Sequence, residues 1–183
     1  MNNIYTGVGS RETPEHILQL MFNIASALEA SGWLLRTGDA DGADEYFRKG
    51  VSDPKNMSVY TLDDISGNKY GATELAKELA LKYHPAPQAL LKKPHYLFIH
   101  ARNVYQILGT DFDDGRPLKV SDYVICYTDK GEIKGGTGQV LRIAQDYKVP
   151  VINLGIEDVY KRVKELDDTG MLDKIFDLPR TVT

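Results

Sequence analysis

The chain has 183 residues, 42% of them hydrophobic and 26% charged, enough for one domain with a sizeable core. Its formal net charge of −4 argues against a strongly basic nucleic-acid binder and leaves that role only a local basic patch. The single cysteine, Cys126, excludes an internal disulfide, and no stretch is long and apolar enough to span a membrane.

The run NIYTGV (3–8) reads as a first strand. Thr13 is the expected N-cap of the following helix and Pro14 its first residue. Ile17, Leu18, Met21, Ile24, Ala25 and Leu28 then recur at helical spacing as far as Ala30, and Ser31-Gly32 closes the helix. WLLRTG (33–38) is a second strand, DADGADEYFRKG a loop entering a second helix, and MSVYTL (57–62) a third strand. DDISGNKYG is read as loop. Residues 72–83 are helical, HPAPQ interrupts them, and 94–108 form another helix carrying His100, Arg102 and Asn103. After a polar connector (109–119), VSDYVICYT (120–128) is a fourth strand, with Cys126 as a buried small hydrophobe. A helix over 136–147, a strand over 149–155 and a helix over 156–166 complete the pattern.

Short, β-branched strands alternate with helices nearly throughout. This predicts an α/β, Rossmann-like doubly wound fold, a mainly parallel sheet of five or more strands with helices on both faces. Residues 1–183 are read as a single domain with a helical insertion around 63–119. The start, MNNIYTGVGS, lacks the charged and apolar regions of a signal peptide, so a cytoplasmic location is the expectation.

In such a sheet ligands bind outside the carboxyl ends of the strands. Three strand ends carry glycine-bearing loops: Gly7 to Arg11, Thr37 to Asp44, and Gly135-Gly136-Thr137-Gly138-Gln139. Each puts small residues where a strand hands over to a helix, whose first N–H groups lack intrahelical partners and favour a phosphate or carboxylate. Arg11 and Arg142 are placed to add positive charge. One glycine pair alone is an ordinary turn; three such loops in one small sheet point to a shared ligand site. The G-x-G-x-x-G fingerprint is not completed, because Glu12 stands at its last position. GDADGAD lacks the ligand spacing and closing glutamate of a calcium loop, so no metal is expected, and no cofactor.

GVGSRETP, TGDADGADEYF and SDYVICYT leading into KGGTGQVLRIA resemble the SLOG superfamily of Rossmann-like domains, over roughly residues 1–50 and 95–155. That superfamily includes the Lonely Guy cytokinin-activating hydrolases, DNA-processing protein A, and the YpsA and YspA-type proteins. The resemblance implies a nucleotide or nucleotide-derived ligand. Gly9, Ser10 and Arg11 would lie near its phosphate or ribose, Gly38, Asp39, Gly42 and Asp44 on the opposite wall, and Gly135, Gly136, Thr137 and Gly138 on the phosphate. His100-Ala101-Arg102-Asn103 resembles the helix that carries a site arginine in Lonely Guy hydrolases and an Arg-Asn pair in DNA-processing protein A. The resemblance also implies a homo-oligomer.

One departure is decisive for chemistry. Aligning the Lonely Guy pattern PGGxGTxxE on Gly135, Gly136 and Gly138 puts Lys134 at the proline and Arg142 at the glutamate. A carboxylate stabilises the cationic sugar of glycosidic cleavage; an arginine opposes it and attracts phosphate instead. Three readings therefore stand. The first is a phosphate-bearing small-molecule ligand that is bound and hydrolysed, with Asp44, Glu12 and Arg102 as the catalytic candidates. The second is a ligand that is only sequestered. The third is DNA-processing-protein-like binding of single-stranded DNA, which requires a basic track with aromatic platforms. Tyr70, Tyr83, Tyr96 and Tyr105 are either a base-stacking lid or packing residues of the insertion.

Overall fold

The computed structural model describes residues 3–63, 73–110 and 119–178. Its centre is a five-stranded, all-parallel sheet of order β3-β2-β1-β4-β5. The strands are β1 (Ile4–Gly9), β2 (Leu34–Gly38), β3 (Met57–Tyr60), β4 (Tyr123–Tyr127) and β5 (Val151–Asn153). β2 to β5 each lie within their predicted runs but are shorter, whereas β1 keeps six residues and is shifted by one, starting at Ile4 and ending on Gly9. The helices are α1 (Glu15–Ala30), α2 (Ala43–Gly50), α3 (Glu74–Lys82), α4 (Pro87–Leu91), α5 (Pro94–Leu108), α6 (Gly135–Asp146) and α7 (Glu157–Asp168). No helix among the described residues is long and apolar enough to cross a membrane.

Both faces of the sheet are covered. Tyr5, Leu35, Ile125 and Ile152 pack beneath α1, α2 and α7. Val8, Val124, Cys126 and Val151 face the other way, against α3, α5 and α6. Consecutive β4 residues thus serve opposite cores, the period of two that makes a buried parallel strand continuously apolar. Cys126 is fully buried, and desolvation raises its thiol pKa, so it is a packing residue.

Two local expectations are corrected. Thr13 is not the N-cap of α1: its hydroxyl donates to the Ser10 carbonyl at 2.6 Å, and Pro14 takes the cap position in extended conformation. HPAPQ does not merely end a helix, because Pro87 starts the five-residue α4, where its missing N–H is no loss. Most of DDISGNKYG and of the polar connector, residues 64–72 and 111–118, lies outside the described residues.

Asn153, 2% exposed at the end of β5, joins β5 to the loop after β4. Its Nδ2 donates to Thr128 Oγ1 at 2.7 Å, and its Oδ1 accepts from the N–H groups of Thr128 and Gly155 at 3.1 and 3.0 Å. Asn153→Ala leaves buried amides without acceptors and is expected to cost about 2 kcal/mol in urea unfolding; a change below 0.5 kcal/mol would show that water replaces the clamp.

Candidate functional site

Sheet order reverses between β1, whose chain runs on to β2 and β3, and β4, whose chain runs on to β5. A cavity of about 590 Å³ opens at the carboxyl ends of these two strands, the place where the topology leaves a crevice. The loops after β1, β2 and β4 converge there.

The first wall is Gly9 to Glu12. The G-V-G spacing serves packing as well as any ligand. A Cβ on Gly7 would stand 2.7 Å from the Phe47 ring, and one on Gly9 2.6 Å from the Ala43 Cβ, so the two glycines let α2 lie on β1. Ser10 Oγ accepts from the Glu12 N–H at 3.1 Å, which shapes the turn. Arg11 and Glu12 are exposed at the rim.

The second wall comes from the loop after β2, through Ala40 and Asp44. Gly42 has φ +79°, and a Cβ there would meet the Arg11 backbone at 2.9 Å, so the first two loops touch where only glycine fits. Asp44 is 4% exposed. Desolvation raises its carboxyl to a pKa of about 6, against the pull of Arg102, Arg48 and the Ala40 backbone. Asp39 lies beside the cavity; its carboxylate pairs with Arg102 and accepts from the Leu62 N–H at 3.3 Å. Gly38 sits beneath, in contact with Gln106, Asp44 and Arg102.

The third wall is the start of α6, with Gly135, Gly136 and Thr137 on the cavity. The i→i−4 ladder starts from the Gly138 N–H, which donates to the Lys134 carbonyl at 2.8 Å, and no side chain among the described residues caps the helix. The preceding amides are therefore outside the ladder, next to the cavity, at the positive end of a twelve-residue helix.

Across the opening runs α5. It contributes Tyr96, Ile99, His100, Arg102, Asn103 and Gln106. Thr6 on β1 fixes its last turn, donating Oγ1 to the Gln106 carbonyl at 2.7 Å. Gln139 fixes it against α6. Its Oε1 accepts from Asn103 Nδ2 at 3.0 Å and meets His100 Nδ1 at 2.7 Å, while its Nε2 donates to the Ala80 carbonyl at 3.0 Å. Gln139 is fully buried and off the cavity, as is Gly138, which packs on Ile133. Arg142 also stands off it: its Nε donates to the Tyr83 carbonyl at 2.7 Å, tying α6 to the end of α3. Tyr83 and Tyr105 are buried in the core, whereas Tyr96 is 51% exposed at the rim with Lys93 Nζ 5.4 Å from its ring centroid; Tyr70 lies outside the described residues.

The lining mixes Arg11, Arg102 and Lys134 with Glu12, Asp44, Asp129 and Glu132. Lys134 is exposed and ion-paired with Glu132. Such balance suits one phosphate held by backbone amides better than a long polyanion track. Among the described residues no group of three or more potential metal ligands occurs. The sequence reading missed Gln106, although Ile99, Arg102, Asn103 and Gln106 follow an i, i+3, i+4, i+7 pattern on one helical face. Polar residues on such a face inside an otherwise apolar helix are the signal that finds it.

The sequence matches no family model and no curated protein. Its fold is similar to that of DNA processing protein A from Helicobacter pylori. The two chains superpose with a TM-score of 0.51 over 93% of this chain and 73% of the other, at 17% identity. That structure concerns a single-stranded DNA binding mode of the Helicobacter protein. Likeness at this identity establishes a common architecture, the parallel α/β sheet covered on both faces, and leaves function to the site.

Proposed function

We propose that the protein binds a nucleotide unit in the cavity between β1 and β4, with its phosphate on the amides at the start of α6. The observation that carries this is the uncapped N-terminus of α6 opening on a cavity of about 590 Å³ at the reversal of strand order. Gly9, Ser10 and Arg11 bound the phosphate end, and Asn103, whose Nδ2 also reaches the Gly136 carbonyl at 3.4 Å, holds α5 against it. Arg142 acts on the site only through the α3–α6 brace.

Single-stranded DNA is the second reading. It is favoured by the architecture shared with a single-stranded DNA-binding protein and by the rim, where Lys93 and the exposed Tyr96 offer a cation and a stacking face. Cleavage of a glycosidic bond would fall to Asp44 or Glu12, two of the carboxylates on the cavity lining.

A thermal-shift screen with AMP, ADP-ribose, NAD and cyclic nucleotides tests the proposal. A ligand at 100 times its Kd stabilises by about 2.7 kcal/mol, a rise of about 5 °C or more in Tm. No shift with any of them, together with a gel shift on single-stranded DNA that weakens steeply with salt, would transfer the assignment to the polymer. Chromatography of the incubated ligand separates turnover from sequestration, since free base appears only with turnover.

A further inference from the structure

Gln106, Arg102 and Asp44 meet at the cavity floor around the end of β2. All three line the cavity, and they are 1%, 8% and 4% exposed. Gln106 Nε2 and Arg102 Nε are buried donors without a hydrogen-bond partner among the described residues. Buried N–H groups are seldom left so, because their lost hydration goes uncompensated. A Cβ on Gly38 would lie 2.4 Å from Gln106 Nε2, 2.5 Å from Asp44 Oδ2 and 3.2 Å from Arg102 Cζ, so all three crowd the same point of the backbone.

Unspent donors beside a buried carboxylate select a ligand by its hydrogen-bonding type. A second phosphate would satisfy the donors and collide electrostatically with Asp44. A carbonyl or ring nitrogen would leave the carboxylate unused, and an ammonium would leave the amide unused. Hydroxyls both donate and accept, and two adjacent hydroxyls match donors and an acceptor set side by side. We infer that Gln106, Arg102 and Asp44 form a subsite for a vicinal diol, the 2′,3′-hydroxyls of a ribonucleotide. The inference rests on the nucleotide reading above, and it makes the free ribonucleotide, rather than a deoxyribose polymer, the preferred ligand of the floor.

Calorimetric titration with the four ribonucleoside 5′-monophosphates and their 2′-deoxy counterparts tests it, on the native chain and on Gln106→Met. The ribonucleotide that binds is expected to do so about tenfold or more tightly than its deoxy form, since a site built to bond a hydroxyl rejects the analogue lacking it. In Gln106→Met the ratio falls toward one while Tm holds or rises, because the group removed had no partner to lose. Equal binding of both forms by the native chain overturns the diol subsite and leaves the nucleotide reading standing. A ribose preference unchanged in Gln106→Met overturns it as well. Failure of every monophosphate to bind overturns the subsite, and failure of every ligand of the thermal-shift screen as well removes the nucleotide reading with it.

Discussion

Gly136→Asp is expected to lower nucleotide affinity at least 100-fold without destabilising the fold. Among the described residues a Cβ at Gly136 has only Asn103 Nδ2 within 4 Å, at 3.6 Å, so the backbone accepts a side chain. Gly136 also lacks the positive φ of its neighbour Gly135, at +61°. An aspartate in the first turn of α6 places a carboxylate at the positive end of the helix, which stabilises helices by roughly 0.3–1 kcal/mol. The same carboxylate fills the space assigned to the phosphate and repels it. A 100-fold loss corresponds to about 2.8 kcal/mol. Gly136→Ala, which adds bulk without charge, separates the two effects and should retain most of the affinity. Binding by Gly136→Asp equal to that of the native chain would take the phosphate off α6 and with it the proposed function.

Asp44→Asn is expected to change the pH dependence of stability and to weaken the ligand. The Asp44 carboxyl has a pKa of about 6 in the folded chain against 3.8 for an unperturbed aspartate, because burial penalises its charge more than Arg102 and Arg48 favour it. The folded state therefore holds this proton to higher pH than the unfolded state does. Stability from this group is greatest below about pH 4, falls as pH rises through about 6, and is level above that. The total loss is on the order of 3 kcal/mol, at 1.36 kcal/mol for each pKa unit. Asparagine cannot titrate, so the variant gains on the native chain by that amount between about pH 4 and 8, as followed by urea unfolding at each pH. Nucleotide affinity at pH 8 should meanwhile drop by about tenfold, because the diol loses its charged acceptor. Parallel pH profiles for the two proteins would show that Asp44 is solvated and unremarkable. A buried charge kept at such a cost is a mark of a functional site.

The sheet and its order of elements were legible because four of its strands, β1, β2, β4 and β5, are largely buried on both faces. That forces continuous apolar runs such as VICY, and it forces crossover helices whose apolar stripes recur every three or four residues. The three glycine loops were legible for a related reason. Glycine is needed where chains approach closely, as at Gly9 against Ala43 and Gly42 against Arg11, and the spacing of those glycines is written in one dimension.

Side-chain direction was not legible in the same way. Arg142 stands one turn from the glycines of α6 and reads as a ligand contact, yet its guanidinium turns to the Tyr83 carbonyl on α3, a partner 59 residues away. Gln139 sits in the same motif but points inward to bridge His100, Asn103 and Ala80. Gln106 carries no motif at all; it reaches the cavity floor because the Thr6 hydrogen bond and the packing of α5 on β2 set the rotation of that helix.

By itself the sequence determined the α/β class, the places of strands and helices, and the loops that meet at the carboxyl ends, since periodicity and glycine placement are local consequences of burial and backbone sterics. Only the tertiary structure decided which polar groups face the cavity, that Asp44 is desolvated, and that two donors on Arg102 and Gln106 remain unspent. Those properties depend on contacts between residues dozens of positions apart, and the field and hydrogen-bond partners of a side chain exist only once the chain has folded around it.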